Sequence, residues 1–538
     1  MKLNANRFSG MLIVTGIVMV FSAVAVSAQP IPLSELQKQW LDPRADNGSS
    51  TNAVSLPAPL DPRHNMAGMS MVTNSAVATP VNTSTLPQNG GQWSYLPSFP
   101  TGFNAPHMIV GKGGKVLLVA GSGNTTANSL SGNLQSYIWN PVTGTRRLIT
   151  TPNDLFCAGH VLLPDGRALV VGGTKSYHPF LGSNTIYAFN FDTEAYERLP
   201  NMAHGRWYPS VVTMPDGRQV IAAGLNENGV SYTTNEIFNP KTNTISQLPG
   251  ARSFPLYPRL QLAENGKIFH SLTASPGFWD PLANTYQKVG GVITTVNTAV
   301  ASCFVGDVRD QNLIDIGGGW PATNKTRIIK LNAPMPVFQD GPSLSAAKAY
   351  TGCVNLPDGN LFEANGGNDN TFVGASLEAS MLASTTSNWT AMTSLPIGEH
   401  RVYHSVLALL DDGRVLSMTS NPNSGAPRST SVLAYSPPYL FKGQRPVITI
   451  APTIVNYGGT YPVSSTAVAG TTVQKMMITS APAPTHGQDT GQRSLSIPIL
   501  NGTITLPTES TIMPPGMYRL WAIDTSGVPS VASWFQII

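Results

Sequence analysis

Hydrophobic positions along the middle of the chain come in short runs of four to six, broken by tight polar turns and then resumed. "HVLLPDGRALVVGG" from His160 and "SVVTMPDGRQVIAAG" from Ser210 show the pattern. The turn recurs as Gly113-Gly114, Asp165-Gly166, Asp216-Gly217, Asn265-Gly266, Asp358-Gly359 and Asp412-Gly413, with a degenerate copy at Asp310-Gln311-Asn312. Asn-Gly and Asp-Gly favour hairpins because glycine tolerates positive φ. A second signal, "YIWNPVTGT", "YAFNFDTEA", "IFNPKTNT" and "FWDPLANT", follows four of these copies. The repeat is about fifty residues long, the kelch period. Seven copies predict an all-β, seven-bladed kelch-like β-propeller over 100–440, each blade burying its faces only against its neighbours.

Beyond Arg445-Pro446 the period stops. "PVITI", "MMITS", "LSIPIL", "GTITLP" and "GMYRLWAID" are short alternating strands, which predict a C-terminal immunoglobulin-like β-sandwich over 441–538. Residues 29–99 are rich in Pro, Ser, Thr and Asn and read as an extended arm. His64, Met66, Met69 and Met71 within it offer copper(I) ligands, although a plain linker accounts for them better. Residues 1–28 have the form of a secretory signal: Lys2 and Arg7, an apolar stretch from Met11 to Val26, then Val26-Ser27-Ala28. Export to the medium, the periplasm or the cell surface is expected. No later segment is apolar enough to insert stably in a membrane.

Charged residues make up only 11% of the chain, under half the usual share, so its surfaces are expected to be polar but uncharged. The formal charge of +4 is not gathered into a basic run, which argues against nucleic acid as a partner. Three cysteines, Cys157, Cys303 and Cys353, leave at least one without an intrachain disulfide partner.

Counting nine residues back from the second turn residue reaches the start of each blade's first strand. Those positions are Ala105, Cys157, Tyr208, Tyr257, Cys303, Tyr350 and His404. In a propeller they form a ring around the central axis at one end, where sites are found. Thiol, phenol and imidazole are groups that bind a transition metal or hold a radical. Cys157 and Tyr208 fall in neighbouring blades, and so do Cys303 and Tyr350. Spacing does not choose between the two pairs.

Four motifs, "DLFCAGH" (154–160), "GRWYPS" (205–210), "RVYHS" (401–405) and "THGQDTGQR" (485–493), resemble the galactose oxidase and glyoxal oxidase family of copper radical oxidases. "PLYPRL" (255–260) is closer to the glyoxal oxidase branch. The resemblance implies one copper ion held by Tyr208, Tyr403, His404 and His486. It also implies a Tyr208–Cys157 thioether that carries a radical, with Tyr403 as the base. His486 would reach the propeller from the sandwich. The implied reaction is two-electron oxidation of a small aldehyde or primary alcohol, with O2 as the second substrate and H2O2 released. Copper and phenolate suit this chemistry, whereas zinc has no redox change.

Galactose oxidase follows its radical tyrosine with a Gly-Gly-Ser-Trp stretch whose tryptophan covers the cross-link. Here "AAGLNENG" at 222–229 has no aromatic, so no covering ring is identified. Tyr257 and Arg259 are candidates for the substrate pocket, from their blade position and the "YPRL" match, with a plain structural ion pair as the equal alternative for Arg259. Cys303 and Cys353 are left either free or paired. The competing reading is a non-enzymatic kelch propeller that binds a glycan or protein at its rim. Such a protein has no need of Cys157, Tyr208, Tyr403, His404 and His486 together.

Overall fold

The computed structural model describes residues 79–80, 86–100, 102–271, 275–291, 299–319, 321–371, 373–422 and 428–538. Residues 1–28, expected to be a secretory signal, and the Met-rich segment lie outside them. Seven antiparallel sheets are arranged as blades, and a sandwich follows them. The innermost strands are His107–Val110, Ala158–Leu162, Ser210–Thr213, Leu260–Leu262, Ala301–Phe304, Gly352–Asn355 and Val406–Leu409. These strands are almost entirely buried. Outer strands such as Arg146–Thr150 expose most of their side chains, as expected of sheets that pack face to face around an axis.

Local chemistry explains the regular blades. In the second blade Gly166 sits at φ +88° and donates its N–H to Leu163 O at 2.9 Å, while the Asp165 carboxylate accepts from Arg167 N at 3.0 Å. The copies at Gly217 and Gly413 repeat this geometry, each beside an aspartate that accepts from the following arginine. The second turn signal works through Asx turns: Asn140, Asn190, Asn239 and Asp280 each accept backbone N–H groups two or three residues ahead.

The ring closes with sequence from before the first blade. Gln92–Leu96 pairs with Val432–Ser436 and becomes the outer strand of the last blade, and Thr79–Pro80 pairs beyond it. Residues 92–96, expected in an extended arm, are therefore propeller. Trp93 is fully buried there, and its indole N–H donates to Thr393 O at 2.8 Å.

The fifth blade departs from the count. Its first hairpin is longer: Val305 N bonds Asn312 O, and Gln311, not glycine, takes the left-handed position at φ 53°. Counting nine back from Asn312 therefore lands inside a strand, at Cys303. The true equivalent is Ala299, at φ 59°. Backbone bonds around the ring agree: Tyr208 N donates to Cys157 O, Tyr257 N to Tyr208 O, and Tyr350 N to Ala299 O, at 2.8–3.0 Å. Cys303 instead forms a disulfide with Cys353, joining the inner strands of the fifth and sixth blades. Cys157 is the free cysteine, and it is buried.

The sandwich is led by a five-stranded sheet of Ile454–Val455, Ser533–Ile537, Gly516–Asp524, Val473–Ser480 and Ser494–Pro498. Its apolar residues merge with the propeller's. Met476, Ile478, Leu495 and Ile497 share a core with Phe269, Phe278 and Phe304 of the fourth and fifth blades. The loop between Ser480 and Ser494 leaves this interface for the propeller axis. Pro482 O and Pro484 O accept from Val110 N and Met108 N of the first inner strand. Among the described residues no helix is long and apolar enough to cross a membrane.

Candidate metal centre

Cys157, Tyr208, Tyr257, Tyr350 and His404 share an uncommon backbone state, with φ between 45° and 68°. Such values carry a cost for residues with a Cβ and recur at functional sites. Here they turn each side chain out of its strand at one end of the axis. His486, also left-handed at φ 50°, enters from the sandwich loop. Gly487 follows at φ 73°, where an added Cβ would lie 2.6 Å from Thr351 O.

These residues meet at one buried point. The Tyr208 and Tyr403 hydroxyls are hydrogen-bonded to each other. The His404 and His486 ring centroids are 4.7 Å apart at 87°, and the Tyr208 ring lies 5.0 Å from His486. Ligand atoms of Cys157, His404 and His486 all lie within 4.8 Å of one another. Burial pushes the Cys157 thiol and the Tyr208 and Tyr403 phenols well up, and the two imidazoles well down. Without a cation the cluster is thus neutral, with imidazole lone pairs free of protons.

Both ring nitrogens of His404 and the Nε2 of His486 are buried without a hydrogen-bond partner. Buried polar atoms in that state are costly unless something meets them. Two imidazoles and two phenols form an N/O donor set suited to copper(II). A dication there would also lower the phenol pKa values that burial raises. The donor set therefore fits a copper ion.

The chain matches the "Galactose oxidase-like, Early set domain" family over residues 445–537. It is 28% identical over 448 residues to the aldehyde oxidase GLOX of Vitis pseudoreticulata, covering 72% of this chain and 82% of that protein. It is 25% identical over 507 residues to the galactose oxidase of Gibberella zeae, covering 84% and 72%. A solved structure described as a novel fungal alcohol oxidase of the AA5 family, in complex with copper, superposes at TM-score 0.73. It has 23% identity and covers 84% of this chain and all of that one, a likeness of fold. Both the propeller and the sandwich take part in these matches. Residues 445–537 thus match a galactose oxidase-like domain, and over most of its length the chain is similar to the GLOX aldehyde oxidase and the galactose oxidase.

Against that family pattern, the structure supplies the covering aromatic that the sequence reading missed. Trp207 stacks on Tyr208 with centroids 3.7 Å apart and planes within 6°, and Phe180 stacks on Trp207 at 4.5 Å. In a regular strand, neighbours point to opposite faces. The left-handed Tyr208 breaks that rule and lets the adjacent ring lie over it. The covering ring is the residue just before the tyrosine in "GRWYPS", one strand ahead of the "AAGLNENG" stretch.

Tyr257 and Arg259 are not at an opening. Tyr257 is 0% exposed, packs between Tyr208 and His486, and donates its hydroxyl to Ala158 O at 2.8 Å. Arg259 is 2% exposed, and each of its three nitrogens donates to a backbone carbonyl: Val300 O at 2.8 Å, Tyr257 O at 2.9 Å and His486 O at 3.0 Å. Its guanidinium anchors the His486 loop.

Proposed function

We propose that this chain is a copper radical oxidase that oxidises a small aldehyde or primary alcohol with O2 and releases hydrogen peroxide. The observation that carries the reading is the convergence of Cys157, Tyr208, Tyr403, His404 and His486 from three blades and the sandwich, with unmet imidazole nitrogens at its centre. The related aldehyde oxidase and galactose oxidase support the reaction class.

Tyr208, Tyr403, His404 and His486 would hold the ion. Bound copper supplies a one-electron redox partner for Tyr208, so that the pair matches the two electrons of alcohol oxidation. The Cys157 thiol is coupled to the Tyr208 hydroxyl. Joining its sulfur to the ring carbon beside that hydroxyl removes one hydrogen from each residue, with O2 as oxidant, and delocalises an unpaired electron onto sulfur. Trp207 covers the joined ring and keeps water from that face.

Tyr403 takes the substrate hydroxyl proton on its phenol oxygen. The Tyr208 oxygen receives the hydrogen leaving carbon. O2 then accepts two electrons and two protons, so alcohol and O2 give carbonyl and H2O2. An aldehyde enters as its gem-diol and leaves as a carboxylic acid. Export fits the Cys303–Cys353 disulfide, which persists in oxidising compartments.

The test is anaerobic copper loading of the full chain followed by air. A tyrosyl-radical absorption, a Cys157–Tyr208 peptide pair two hydrogens lighter than its parts, and peroxide from a panel of aldehydes and alcohols are expected. Copper uptake with neither link nor peroxide would leave a metal-binding propeller without turnover.

A further inference from the structure

The residue just before Trp207 is a buried arginine. Arg206 and Trp207 run side by side in isolated bridges to Ser183 and Leu225. Neighbours in extended backbone point to opposite sides, so anchoring one side chain fixes the side on which the other lies. Trp207 turns to Tyr208. Arg206 turns into the third blade, where its side chain is fully buried. Its Nη1 donates to Ala223 O at 2.8 Å and its Nη2 to Thr234 O at 2.6 Å, beside the ends of the strands Gln219–Ala222 and Glu236–Asn239.

Glu236 completes the clamp. Its Oε2 accepts from Arg206 Nε at 3.1 Å and from Nη2 at 2.8 Å. Its Oε1 accepts from Ala203 N at 2.8 Å. One buried carboxylate therefore ties down both ends of the segment 203–206 that leads into Trp207. The Arg206 backbone is held as well. Its N–H donates to Ser183 O at 2.9 Å and its carbonyl accepts from Gly173 N at 3.0 Å. Both partners lie in the connection from Ala168–Gly172 to Ile186–Asn190 of the second blade. On the other side a Cβ at Gly224 would lie 2.9 Å from Arg206 Cβ, which shows how closely that backbone approaches.

We propose that Arg206, held by Glu236, is a positioning residue that keeps Trp207 in register over Tyr208 and so prolongs the lifetime of an unpaired electron there. The inference rests on the reading of Tyr208 as the radical residue. Aromatic pairs gain or lose energy with their distance and offset, and here the planes lie within 6° at 3.7 Å. The clamp is firm because both of its charges are buried. Either one without the other would leave a bare charge in the interior, so neither side chain can swing away.

The experiment follows decay of the tyrosyl-radical absorption in the copper-loaded, air-oxidised full chain without substrate. Arg206→Met should speed the decay about two- to tenfold, the worth of one stacked aromatic pair, with copper content unchanged. Glu236→Gln should act the same way: whichever way its amide turns, an NH2 group faces the donor of Ala203 or of Arg206. If circular dichroism shows that Arg206→Met disturbs the sheets, the isosteric Glu236→Gln carries the comparison. Both changes are repeated in a Trp207→Leu background, which separates positioning from general destabilisation. Acting through the indole, they should speed the decay no further there. Wild-type decay in the single variants, or the same acceleration with and without Trp207, overturns the proposal. A long-lived wild-type radical beside unaffected variants removes the positioning role alone. A wild-type chain with neither radical absorption nor a Cys157–Tyr208 link ends the radical reading and takes this one with it.

Discussion

Replacing Arg259 with methionine distinguishes an anchor from a substrate-binding residue. The methionine fills the stem's space but leaves three buried carbonyls, on Tyr257, Val300 and His486, without their donor. Each unmet buried acceptor costs about 1–3 kcal/mol, a gross loss of roughly 3–9 kcal/mol. Against this stands the cost of burying the guanidinium itself. Burial pushes its pKa down to about 10, with Asp315 and Tyr257 opposing the shift. At about 1.4 kcal/mol per pH unit, removing that strain returns roughly 3 kcal/mol. The net loss should be about 3 kcal/mol, concentrated where the sandwich loop enters the propeller. His486 should then lose its fixed position, and Cu(II) affinity should fall about 10–100-fold. Denaturant unfolding of the apo-protein and chelator competition read the two effects. Arg259→Lys, which keeps charge but not the three-way fork, should fall between. Unchanged stability and copper affinity with a raised KM would refute the anchor role and return Arg259 to the substrate.

Tyr403→Phe should keep copper and the Cys157–Tyr208 link, since other ligands remain. Peroxide production should fall by about two to four orders of magnitude, as on losing a positioned base. Loss of copper would make Tyr403 mainly a ligand. Trp207→Leu removes two stacked pairs worth about 0.5–1.5 kcal/mol each, so the radical absorption should decay about tenfold faster without substrate. An unchanged decay would show that the stack only packs. Cys303→Ala with Cys353→Ala opens a loop of 50 residues and should cost about 4 kcal/mol. It should lower the melting temperature by about 4 °C and spare the cross-link, since Cys157 is the free thiol.

Features governed by local chemistry were legible in the sequence. Asp-Gly and Asn-Gly hairpins depend on φ and on side chains two residues away, so blade number, period and the fall of Cys157, Tyr208 and His404 at equivalent places could be read directly. The same count failed at Cys303, because a longer hairpin with Gln311 in the glycine position shifts the register, and only the neighbouring backbone bonds show that Ala299 is the equivalent. Which cysteine remains free was open from spacing and was decided by the contact of Cys303 with Cys353 across two blades.

Long-range pairings stayed hidden for the same reason. Gln92–Leu96 looks like linker because its partner, Val432–Ser436, lies some 340 residues away. Trp207 covers Tyr208 only because a left-handed residue folds one neighbour over the next. "YPRL" placed Arg259 near the centre, but its direction depends on carbonyls from the fifth blade and the sandwich. Residue types and their blade positions are properties of the chain itself. Where a guanidinium, an indole or a hydroxyl points is set by partners that folding brings in from hundreds of residues away.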